Sequence, residues 1–145
     1  MTLLREKPVW LNFVDHTGDA GILVRAPDLK ELFARAAWGM FHLIADMDAI
    51  RLIDAKYLEL RAGDLTALMV RWLSELNYRH VTEHRLFRQF EVIRIDDDLL
   101  TAVVRGEKID PVRHEIFTEI KAVTFHAMRI EHTYRGWEAQ IFFDL

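Results

Sequence analysis

A chain of 145 residues is of ordinary single-domain length and is long enough to bury a core. Its hydrophobic share is 51%, its charged share 29% and its net charge −4, which sets it apart from disordered chains and argues against a general affinity for phosphate backbones. It has no cysteine, so disulfides, thiolate zinc sites and cysteine nucleophiles are all excluded.

The opening MTLLREKPVW mixes charge with apolar residues and has no apolar core of a signal peptide. No run approaches the roughly 18 apolar residues of a membrane helix. The expectation is a cytoplasmic protein with one domain over 1–145, no membrane and no direct nucleic-acid binding.

Residues 10–14 (WLNFV) alternate and read as a strand, and residues 20–26 (AGILVRA) read as a second. Between them stands DHTGD, Asp15 to Asp19, with two carboxylates and an imidazole in five residues. Asp28 is a good N-cap and Glu31 lies three residues on, close to a capping box. From Leu29 to Ile44, apolar residues recur at helical spacing and predict an amphipathic helix of about four turns. An Asp-rich loop follows over 46–54, then a strand over 55–60 (AKYLEL).

Gly63 stops that strand, and Asp64 caps a second helix with a stripe of Leu65, Leu68, Met69, Trp72, Leu73 and Leu76. Its end is predicted near 77–80. Residues 86–95 and 99–105 flank Asp96, Asp97 and Asp98 and read as a hairpin with a solvated turn. Residues 106–114 look irregular, because Pro111 cannot donate to a ladder. Residues 118–130 (TEIKAVTFHAMRI) favour a strand, 134–136 a turn and 137–143 (WEAQIFF) a final strand. The sum is an α+β fold, mainly antiparallel or mixed sheet, with two amphipathic helices packed on one face.

Familiar catalytic signatures are missing. There is no phosphate-binding glycine loop, nucleophile elbow or HExxH helix, and the single serine, Ser74, falls inside the second helix. Seven histidines are scattered, and only His80 and His84 have helical pair spacing, at a helix end expected to fray. If the last strand lies beside the opening strands, Asp19, Asp144 and the α-carboxylate of Leu145 bring three hard oxygen groups together, a set suited to Ca²⁺, Mg²⁺ or Mn²⁺. The alternative is that Asp19 serves its own turn and Asp144 frays.

DHTGD resembles the DHTAD motif near the start of archease proteins. DLKELFARAAWGMF and GDLTALMVRWLSELN are similar to that family's two helices, and GEKID and EIKAVTFH to its later motifs. The likeness covers nearly the whole chain; Gly18 stands where the family usually has alanine. Archeases are non-catalytic partners of the GTP-dependent, RtcB-type RNA ligase of tRNA splicing and RNA repair. They promote guanylylation of the ligase and its multiple turnover, and they bind a divalent cation, calcium in the first place, with magnesium or manganese as alternatives. The resemblance implies Asp19, Asp144 and Leu145 as metal ligands, and no catalytic residues. It implies Asp15 and His16 as residues orienting the loop, and Lys121 as a partner contact or loop support. His126, in a mid-strand position, is expected to find a buried partner.

Two other functions stay open on the residues alone. One is a metal-dependent phosphoester hydrolase using Asp15, His16, Asp19 and His126. The other is a chaperone-like protein-binding module, which needs an exposed apolar patch.

Overall fold

The computed structural model describes residues 6–16 and 19–145, taking Asp15 and His16 by their backbone alone. The elements run in the order β1 (Leu11–His16), β2 (Asp19–Ala26), α1 (Leu29–Ile44), β3 (Asp54–Arg61), α2 (Leu65–Glu83), β4 (Arg85–Ile95), β5 (Leu99–Lys108), β6 (Ala122–Thr133) and β7 (Gly136–Asp144). The fold is α+β, and every strand pairing is antiparallel.

The strands divide between two sheets. One has the order β1-β2-β7-β6 and the other β3-β5-β4. Each helix touches both: α1 meets β2 and β7 of the first and β4 of the second, while α2 meets β6 of the first and β3, β4 and β5 of the second. The α+β class with two packed helices holds, but each helix packs against strands of two sheets rather than of a single one. The physical reason lies in α1, whose buried residues include Leu32, Phe33, Ala36, Ala37, Met40, Phe41 and Ile44, a band wider than one flank of a helix.

The helices start where their caps put them. Asp28 accepts the Glu31 N–H at 2.9 Å and Asp64 accepts the Ala67 N–H at 2.8 Å, each satisfying a free donor of the first turn. α1 comes close to the first sheet at Gly39, where an added Cβ would lie 3.1 Å from both Ile22 Cδ1 and Leu11 Cδ1. On its other flank, Phe41 meets Phe87 edge-on at 5.7 Å, Phe90 face-on at 5.8 Å and the His80 ring at 6.0 Å. The two helices are also tied by the Trp72 indole, which donates to the Phe33 carbonyl at 2.8 Å.

α2 runs one turn past the predicted end, to Glu83, and closes on His84 in the left-handed region at φ 55°. Its last turn exposes Val81, Thr82 and Glu83, so the apolar period fades while the backbone hydrogen bonds continue. The Asp96 to Asp98 turn between β4 and β5 is solvated as expected, with Asp96 paired to Arg94 at 2.8 Å.

Phe41 is fully buried and joins α1 to α2 and to the second sheet. Phe41→Ala is expected to lower stability by about 3–5 kcal/mol, read as a fall in the midpoint of denaturant unfolding with an unchanged slope.

Candidate metal-binding tip

The sheet order places β2 beside β7, and their register makes Asp19 and Asp144 direct partners. Opposite residues of an antiparallel pair project to the same face, with Cβ atoms about 4.5–5.5 Å apart. The inner face of the two strands is set by Ile22, Val24, Ala139 and Ile141, all fully buried. Asp19 and Asp144 fall on the opposite face, at the end of the ladder. On β1, His16 is the register partner of Asp19, and Asp15 is the partner of Ala20. The side chains of Asp15 and His16, and the whole of Thr17 and Gly18, lie outside the described residues.

The outer face is fastened one step below the tip. Phe142 is 3% exposed although it projects away from the helices. Its ring lies over Gly21, where a Cβ would come within 2.5 Å of Phe142 Cε1, so any larger residue at 21 would displace the ring. Lys121 is also at the tip. Its backbone N–H donates to the Asp144 carbonyl at 2.9 Å, and Ala122 is the register partner of Asp144. Leu145 follows Asp144 directly and is exposed.

Other predicted residues stand elsewhere. His126 is itself exposed, although the ring beside it, Phe142, is buried. The β6–β7 register shifts between Thr124 and Arg129, and Ala127 takes φ 53°, so this segment leaves the regular ladder. The His126 N–H donates to Thr124 Oγ1 at 3.0 Å and its ring lies 6.3 Å from that of Phe142. His80 is buried, not frayed, and its Nδ1–H donates to the Arg85 carbonyl at 2.7 Å. Burial holds its imidazole below the ordinary histidine range, more than that hydrogen bond restores. The His80–His84 spacing therefore makes no metal pair. Among the described residues, no group of three or more His, Cys, Asp or Glu side chains is placed to hold a metal ion.

One buried charged cluster escaped the sequence reading. Glu107, at the end of β5, accepts from the Arg51 N–H at 2.6 Å, from Arg113 Nη2 at 2.5 Å and from His114 Nε2 at 3.0 Å. His114 Nδ1 accepts from the Asp110 N–H at 2.8 Å, which leaves the ring proton on Nε2, facing Glu107. Burial opposes the charge on Glu107, but the bonds from Arg113, Arg51 and His114 outweigh it and hold the carboxyl below its ordinary value. The available signal was an acid in an apolar strand followed by Arg113 and His114 beyond Pro111. This cluster braces the 109–114 loop against β5 and shares no residue with the tip.

The model of the Archease protein family matches residues 11–145. This chain belongs to the archease family. It is 38% identical over 135 residues to the protein archease of Methanopyrus kandleri, covering 91% of this chain and 96% of that one. The protein archease of Methanosarcina acetivorans is 36% identical over 137 residues, with 92% and 94% covered. The solution structure of protein 1598 of Methanobacterium thermoautotrophicum superposes with a TM-score of 0.77 at 34% identity, covering 94% of this chain and 99% of that one. The crystal structure of an archease, possible chaperone, from Thermotoga maritima gives 0.62 at 17% identity over 97% and 98%, a likeness of fold alone. No helix among the described residues is long and apolar enough to cross a membrane.

The folded-state pKa of Glu107 lies below its unfolded value of about 4.3, so its contribution is complete above that pH and is lost as pH falls through the folded value. Glu107→Gln is expected to cost about 3 kcal/mol near neutrality. It should also flatten the acid-side loss of thermal stability, measured as melting temperature from pH 7 downward. His80 has the same sign in a higher window: its pKa is depressed on folding, so stability declines as pH falls below about 6.5.

Proposed function

We propose that this archease is a non-catalytic cytoplasmic activator of an RtcB-type, GTP-dependent RNA ligase, and that it acts through a divalent cation held at the β2–β7 tip. The observation that supports this reading is the register pairing of Asp19 with Asp144. Two carboxylates on one face of adjacent strands repel each other, and a hard cation between them reverses the sign of that interaction. The donor set fits such an ion: two carboxylates and a main-chain oxygen of Leu145, with no soft ligand. Calcium suits it best, since calcium accepts irregular oxygen shells completed by water, and magnesium or manganese are the other candidates.

When bound, the cation supplies positive charge at an otherwise acidic edge, suited to a nucleotide-handling partner. The chain's own residues hold the place for it. Phe142 over Gly21 fixes the register that keeps Asp19 opposite Asp144. The Lys121 N–H holds the last peptide group of β7. Asp15 and His16 end β1, with His16 in register with Asp19, and are assigned to orient it. Lys121 is assigned to the contact with the ligase.

Single-turnover guanylylation of the cognate ligase, with and without this protein, tests the proposal. Wild type is expected to accelerate the step, and Asp19→Ala to lose the acceleration. Calcium affinity of Asp19→Ala should fall by at least the roughly 10–100-fold that outer-shell changes alone can cause. Equal stimulation by both proteins refutes the metal tip, and no stimulation by wild type refutes the activator role.

A further inference from the structure

A cavity of about 950 Å³ opens between the second half of α1, the turn that follows it and the 115–117 segment, bounded also by residues 6–8. Its walls are held by main-chain bonds. Ile116 pairs with Ala45 in an isolated bridge, and the Phe117 N–H donates to the Ile44 carbonyl at 2.7 Å. Trp38 and His42, one turn apart on α1, form an aromatic side. Their rings stack at 5.0 Å with planes 15° apart, and Phe13 stacks on His42 at 6.0 Å. Trp38 is half-buried and keeps part of its indole accessible. Met47, Ile116 and Phe117 add apolar surface.

The charge of this lining is one-sided. Glu6, Asp46, Asp48 and Glu115 contribute four exposed carboxylates, and among the described residues none of the four makes an ion pair. Lys7 lines the cavity too, but its ammonium is committed to the Leu11 carbonyl at 2.8 Å and to Asn12 Oδ1 at 3.3 Å. A concave wall of one sign concentrates counter-ions. An inorganic ion does not answer this wall, because among the described residues no three acidic or histidine side chains converge to hold one. The charges are spread out, so a matching ligand carries its own charges apart on an apolar stem. The indole of Trp38 suits such a ligand twice, by cation–π attraction and by cover for methylene groups. The neighbouring indole already works in this way: the Arg35 guanidinium lies 5.1 Å from the centre of the Trp10 ring, which meets Trp38 edge-on at 5.5 Å.

We propose that this cavity binds a linear polyamine, whose ammonium groups meet the carboxylates of Asp48 and Glu115 and whose methylene chain lies along Trp38. The volume and the mixed apolar and charged lining are those of a small-ligand pocket. The cavity shares no residue with the β2–β7 tip, and the proposal stands independently of the ligase partnership.

The test is calorimetric titration with spermidine in about 0.1 M salt, which screens exposed charges beyond about 10 Å. The proteins are wild type, Glu115→Gln, Asp48→Asn, their double variant, Trp38→Leu and Glu59→Gln. Glu59 is exposed on β3 and lies outside the cavity. Melting curves check that each variant is folded; the carboxylate variants, at exposed positions, decide the matter if Trp38→Leu is not. Glu115→Gln and Asp48→Asn are each expected to weaken binding about threefold and the double variant about tenfold. Trp38→Leu should weaken it about fivefold, with Glu59→Gln unchanged. Equal weakening by Glu59→Gln and Glu115→Gln overturns the proposal, since the attraction is then to net charge alone. Displacement of spermidine by Mg²⁺ at equal charge overturns it in favour of an inorganic cation. Tighter binding of trilysine, lost in the same variants, overturns it in favour of a basic protein segment. Absence of binding by wild type overturns it outright.

Discussion

The pairing register of β2 with β7 is the constraint on which the candidate site depends. A strand's side chains alternate faces, so a slip of one residue would exchange the inner and outer sets. Ile22 opposite Ile141 and Val24 opposite Ala139 are buried under α1, and that burial excludes the slip. Ile22, Val24 and Ile141 each contribute about 1.5–3 kcal/mol when fully buried, so exposing all three costs an amount comparable to a domain's usual stability margin. Asp19 then has no choice but to face Asp144. The close fit of Phe142 over Gly21 acts on the outer face in the same direction.

That register is in turn supported by the way the helices are held. α1 is gripped on both flanks, by the first sheet at Gly39 and by the second at Phe41. α2 contacts β6, whose neighbour is β7, and the Asn77 amide anchors the chain just before β6 begins. The acidic tip is thus built at the end of a well-packed ladder. A site that must hold two like charges together benefits from such rigidity, because the scaffold, not the charges, sets their separation.

Local signals were legible in the sequence where chemistry is local. Asp28 and Asp64 marked the helix starts by their capping oxygens, and the apolar period gave α1 its full length. The β4–β5 hairpin was marked by two strand patterns around an aspartate turn. The pairing of strands was not legible, since alternation shows that a segment is a strand but not its neighbour. The two-sheet arrangement therefore emerged only in the fold. The last turn of α2 was hidden because its outward residues carry no apolar period. His80 was misplaced because the helix continued past it and buried it, and the exposure of His126 follows from the irregular β6–β7 register around Ala127. The Glu107 cluster and the Asn77 anchor depend on contacts between residues distant in sequence, which spacing does not encode. The motif DHTGD was visible as unusual, and the structure brings its last member opposite Asp144.

The central claim is that Asp19 and Asp144 hold one cation between β2 and β7. The most direct measurement is a crystal grown with Mn²⁺ and recorded at the manganese absorption edge, with Asp19→Asn as the control. The claim predicts a single strong anomalous peak between the two carboxylates in wild type and none there in the variant. An empty tip in wild type, or a peak only at the Asp96 to Asp98 turn, would contradict it.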